Sequence, residues 1–128
     1  MDAEAWMLQL LHALQALAQP AQVQVELYPE FVCHGDELVI EYGEALDGAK
    51  STNDLTSGQI EALNELDRFL IEHSGKRHEE LYLTPEGLVL PAWDEIRSRA
   101  RTALDSFGWP NDVPPSSVDR GNIYVGPN

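Results

Sequence analysis

Apolar side chains recur at helical spacing in three stretches of the chain and alternate with polar ones in two others. Trp6, Leu10, Leu14 and Leu17, widened by Met7, Leu11 and Ala18, form a stripe over residues 2–19 that Pro20 stops, which predicts a first helix. Its opposite face carries Asp2, Gln9, His12, Gln15 and Gln19, with Leu8 projecting among them. From Val23 the period shortens to two, Val23, Val25 and Leu27 alternating with polar neighbours as far as Tyr28, and Pro29 interrupts the run. Phe31-Val32-Cys33 continues it to the turn signal His34-Gly35-Asp36, after which Leu38, Ile40 and Tyr42 alternate with Glu37 and Glu41. These two runs predict an antiparallel hairpin with an edge or bulge near Pro29. Gly43 to Leu55, rich in Gly, Ser, Asn and Asp, reads as a surface loop.

Thr56 is a helix N-cap candidate, and Ile60, Leu63, Leu66, Phe69 and Leu70 form the stripe of a second helix that Gly75 ends. Glu80-Leu81-Tyr82-Leu83 and Leu88-Val89-Leu90, around Thr84-Pro85-Glu86-Gly87, predict a second hairpin. Trp93, Ile96, Ala100, Ala103, Leu104 and Phe107 predict a third helix over residues 92–107, closed by Gly108 and Pro110. The expected fold is therefore α+β in the order α-β-β-α-β-β-α, a mostly antiparallel sheet of two hairpins covered on one face by three helices. Residues 1–128 make one domain, and the proline-rich tail 110–128 is expected to dock on the body or a partner through Trp109 or Ile123-Tyr124-Val125.

A chain of 128 residues with a hydrophobic fraction of 43% can bury a full core without a disulfide or metal. Cys33 is its only cysteine, and the acidic start Met1-Asp2-Ala3-Glu4 does not resemble a secretory signal. No apolar run approaches the ~20 residues of a membrane span, so the expectation is a full-length cytoplasmic protein. Charge adds more: 22 acids against 8 bases give −14, and residues 1–64 hold 11 of the acids with Lys50 as their only base. Such a field repels nucleic acid and anionic membranes and accelerates encounter with a basic protein.

The residues do not assemble a recognisable catalytic, metal or cofactor motif. Histidines 12, 34, 73 and 78 are scattered, and His78-Glu79-Glu80-Leu81-Tyr82 lacks the second histidine of a zinc-protease helix. Cys33 and His34, neighbours on the predicted strand, point to opposite faces. Carboxylate pairs such as Asp36/Glu37, Glu79/Glu80 and Asp94/Glu95 are too common in an acidic chain to single one out. The expectation is a protein without catalytic residues, cofactor or metal.

The run Leu55-Thr56 through Gln59-Ile60-Glu61-Ala62-Leu63, then Glu80-Leu81-Tyr82, and Trp93-Asp94-Glu95-Ile96-Arg97 ending at Phe107-Gly108-Trp109-Pro110, resembles small acidic immunity proteins of bacterial contact-dependent and polymorphic toxin systems. The likeness covers about half the chain. It implies a cytoplasmic protein that neutralises a basic toxin domain, often a nuclease, by occlusion. The candidate binding residues, chosen from local charge and strand alternation, are Glu26, Glu30, Asp36, Glu37, Glu41, Glu44, Asp47 and Asp54, with Tyr28 and Tyr42 as aromatic anchors. A homodimeric secretion chaperone holding apolar cargo near Leu8 is the alternative.

Overall fold

In the computed structural model, which describes residues 3–124, the chain is built from helices, and no strand occurs among the described residues. Five α-helices, α1 (Ala3–Ala18), α2 (Ala21–Gln24), α3 (His34–Lys50), α4 (Ser57–Glu72) and α5 (Pro91–Phe107), are joined by loops and by three 3-10 turns, Val25–Leu27, Lys76–Leu81 and Pro85–Val89. Helix α1 packs between α3 and α5, and α4 lies against α5 and touches α3. Leu10, Leu14, Leu17, Leu38, Tyr42, Leu63, Leu66, Leu88, Trp93, Ile96 and Leu104 fill the space between them.

Three helices follow the sequence signals. Thr56 caps α4 in a reciprocal capping box: its hydroxyl accepts from the Gln59 amide, and the Gln59 side chain accepts from the Thr56 amide. Helix α5 starts with Pro91 in its first turn and stops at Gly108 in the left-handed conformation.

The α+β expectation is overturned at both hairpins. Residues 34–50 form one helix because the buried set Leu38, Tyr42, Ala45, Leu46 and Ala49 holds helical spacing through the stretch expected to be a loop. Ile40, which strand alternation would bury with Leu38 and Tyr42, is 53% exposed on the outer side. Gly48 does not break the helix; it faces α1, where Trp6 Cβ lies 4.0 Å from the position of an added Cβ.

The alternating run 23–28 is likewise wound into α2 and a 3-10 turn. Gln24, fully buried, donates to the Ala16 and Leu17 carbonyls and so satisfies acceptors that the end of α1 leaves free. Glu80 and Leu81 end one of the other two 3-10 turns, Leu88 and Val89 end the last, which starts at Pro85, and Tyr82, Leu83 and Leu90 follow them outside any strand. The backbone amides of this region are used locally, as in Tyr82 N to Glu79 O and Leu90 N to Gly87 O. No ladder partner is available to them.

The polar face expected on α1 also changes meaning. Gln15 and Gln19 are buried because the tail runs across them: Gln15 Nε2 donates to the Pro110 carbonyl, and Gln19 Nε2 to Asn111 Oδ1 and the Asp112 carbonyl. Trp109 stacks on Phe107 at 4.2 Å, and the Ser117 amide donates to the Leu27 carbonyl. Docking of the tail thus engages Trp109 and half-buried Tyr124, while Ile123 is 92% exposed and Val125 lies outside the described residues.

Candidate functional site

Because α3 buries the stripe through Leu38, Tyr42, Ala45 and Ala49, its outer side consists of Asp36, Glu37, Ile40, Glu41, Gly43, Glu44 and Asp47. Five acids share a helix face little more than three turns long. Asp36 and Glu37 occupy the first turn, where carboxylates suit the helix dipole. Further along, Glu44 and Asp47 are exposed.

Glu41 is held differently. Its Oε1 accepts from the Tyr28 hydroxyl at 2.9 Å and its Oε2 from Arg120 Nη1 at 2.5 Å, with both charged side chains largely buried. Arg120, the only base after Arg101 in the sequence, reaches α3 from the tail and also donates through Nε to the Pro115 carbonyl. Burial draws its pKa down, but hydrogen bonding and the charge of Glu41 outweigh that and raise it overall. Among the described residues this is the one ion pair that reaches α3; Arg97 and Arg99 of α5 pair with Asp94, Glu95 and Glu65.

The crowding shows in the ionisation of the face. Burial raises the Glu37 pKa, and the charges of Glu41, Asp36 and Glu44 raise it further; burial alone raises Asp36. A folded-state pKa above the ordinary 4.5 means that Glu37 contributes most stability below that pH and loses it as pH rises through the raised value. Glu37→Gln is therefore expected to raise the melting temperature at pH 7 and to have little effect near pH 4, with a gain below about 1 kcal/mol that salt diminishes. Thermal unfolding at both pH values checks this. A lower melting temperature at pH 7 would contradict it.

The aromatic anchors expected from strand alternation are not at the surface. Tyr42 is 1% exposed and donates to the Leu63 carbonyl, tying α3 to α4. Tyr28 is 5% exposed and is spent on Glu41. Burial is the main cause that raises the pKa of both phenols, so both stay neutral. Glu26 and Glu30 are exposed on the connection between α2 and α3, and Asp54 is exposed on the loop beyond α3, so these three do not belong to the helix face.

Sequence reasoning missed three contributors: Ile40 as an exposed apolar residue amid the acids, Arg120, and His12. The pKa of His12 is lowered, first by burial and then by the charge of Arg120. His34 is buried edge-on to Tyr28, with ring centroids 6.2 Å apart and neither ring nitrogen paired with the protein. Its neighbour Cys33 is a free thiol at the N-cap of α3. Among the described residues, no group of three or more His, Cys, Asp and Glu is placed to hold a metal ion. No described helix is long and apolar enough to cross a membrane. What the arrangement offers chemically is a row of carboxylates able to accept hydrogen bonds from cationic side chains. The chain matches no protein-family model, no curated protein and no solved structure.

Proposed function

We propose that this chain is a non-catalytic, cytoplasmic protein that binds a basic protein domain through the outer face of α3, and that it acts as an immunity protein by occluding a cationic toxin. The reading is carried by one observation: Asp36, Glu37, Glu44 and Asp47 line the outer side of one helix, the first two half-buried and the last two exposed, and make no ion pair among the described residues. Holding like charges together weakens the free protein, and a cationic partner relieves that repulsion on binding. Ile40, at the centre of the row, supplies an apolar contact that excludes water, while the acids steer the encounter.

The test is coexpression with toxin domains encoded beside the gene. Growth should be restored by the wild type and not by the folded variant Asp36→Asn, Glu37→Gln, Glu44→Gln, Asp47→Asn. With the purified toxin domain, that variant should associate at least about tenfold more slowly at low salt, the difference shrinking as salt is added. Undiminished rescue by the four-site variant, or absence of any rescue by the wild type, would refute the proposal.

A further inference from the structure

On the α1 side of the acidic face lies a cleft of about 340 Å³ between the first half of α1, the middle of α3 and the tail. Its α1 wall carries exposed Ala5, Leu8 and, deeper, His12; Glu41 and Glu44 face them from α3, and Arg120 borders the cleft from the tail. We propose that this cleft receives one arginine or lysine side chain of the cationic partner, its methylene stem lying along Leu8 and Ala5 and its charged head on Glu44. This rests on the reading of the α3 face as a docking surface for a basic protein, and it names the place where a partner side chain inserts.

Three features select a cation. Arg120 is neutralised by Glu41 at 2.5 Å, and its Nε is already donated to the Pro115 carbonyl. Glu44 is exposed and unpaired among the described residues, which leaves the cleft with one net negative charge while His12 is neutral. Burial and the Arg120 charge both favour that neutral form of His12 over the imidazolium at pH 7. An anion would meet two carboxylates, whereas a guanidinium or ammonium meets acceptors.

The shape of the site suits the same ligand. Leu8, 54% exposed, is a large apolar side chain left at the cleft wall. Long basic side chains cover such surface with their stems while the charged end stays among polar groups. A carboxylate at the far wall then accepts a hydrogen bond from the head.

The probe is acetyl-Gly-Arg-Gly-amide, with the lysine tripeptide beside it and acetyl-Gly-Asp-Gly-amide as control, titrated into the full chain at pH 7 and followed by amide chemical shifts. Both basic peptides are expected to shift Leu8, His12 and Glu44, and the acidic peptide none of them. Glu44→Gln should weaken the interaction about fivefold, and the pair Asp36→Asn, Asp47→Asn, outside the cleft, less than twofold. Shifts confined to Asp36, Ile40 and Asp47, equal weakening by both sets of variants, or no shift at all would overturn the cleft assignment. Toxin rescue that is lost in the four-site variant while any of these results holds would leave the α3 face standing without the cleft. Rescue that survives in that variant would remove the face itself.

Discussion

Arg97→Ala is expected to lower the free energy of unfolding by about 3–5 kcal/mol, the largest loss from any single side chain at a polar position. Arg97 sits on α5 at 7% exposure and spends its guanidinium on three elements at once. Its Nε donates to the Gln19 carbonyl just beyond α1 at 2.8 Å, and its Nη2 to Gln24 Oε1 at 2.8 Å and to the Leu88 carbonyl at 2.5 Å. Gln24 in turn holds the Ala16 and Leu17 carbonyls, so one cation closes a network joining α1, α2, α5 and the turn Pro85–Val89. Truncation strands these acceptors in a buried site and removes the guanidinium that lies 5.7 Å from the Trp93 ring.

Burial lowers the Arg97 pKa, yet guanidinium remains protonated throughout the accessible pH range, so the loss should vary little between pH 5 and pH 9. Arg97→Lys should recover only a minor part, since an ammonium cannot serve these acceptors in the fork geometry. Arg101→Ala, an exposed change on the same helix, should fall within about 0.5 kcal/mol of the wild type. Denaturant titration of the three variants measures this. A loss under 1 kcal/mol for Arg97→Ala would show that water replaces the guanidinium at little cost.

Helices α1, α4 and α5 were legible because their apolar positions keep one period for sixteen residues or more and because Pro20, Thr56 and Gly108 mark their ends. Helix α3 was not. Leu38, Ile40 and Tyr42 fit a period of two, while Gly43 and Gly48 made the rest resemble a loop; the helical continuation at Ala45, Leu46 and Ala49 is carried partly by alanines, which mark a core weakly. The 3-10 turns around residues 76–89 have no local signature that separates them from a short hairpin, and packing decides between the two.

The same error explains the candidate site. The acids were visible as a regional surplus, but which of them share a face depends on the period. At a period of two, Glu37 and Glu41 share a side and Asp36 and Glu44 lie opposite; at 3.6 they converge with Asp47. Tyr28 and Tyr42 mislead for a separate reason, since a polar hydroxyl does not tell a surface anchor from a buried ring whose oxygen has found an acceptor. Arg120 could be noticed as an isolated base in an acidic tail. Its pairing with Glu41, 79 positions earlier, is a fact of tertiary structure alone.

Gly87→Ala is expected to cost about 3 kcal/mol, a large fraction of a small domain's stability, because the added methyl meets backbone instead of movable side chains. A Cβ on Gly87 would stand 2.2 Å from the Glu80 carbonyl oxygen and 2.8 Å from both the carbonyl carbon and the oxygen of Leu81. The opposed stretch cannot easily retreat. The Leu81 carbonyl accepts from Trp93 Nε1 at 2.8 Å, and the Tyr82 hydroxyl is bonded to the His73 carbonyl. Gly35, in the first turn of α3, presses on the same stretch, and a Cβ there would lie 2.6 Å from Tyr82 Cα. Gly35→Ala should therefore destabilise comparably, whereas Gly43→Ala, inside α3 with open space around it, should stabilise by roughly 0.5–1 kcal/mol. Thermal and denaturant unfolding of the three variants separates close approach from a general effect of removing glycine; wild-type stability in Gly87→Ala would disprove the backbone contact. The consequence reaches the acidic face, for the segment that Gly35 touches sets where α3 begins. Any shift that accommodates a methyl there moves Asp36 and Glu37 relative to Glu44 and the tail. Gly35→Ala protein held well below its melting temperature is accordingly expected to bind its cationic partner more weakly although no carboxylate has been changed.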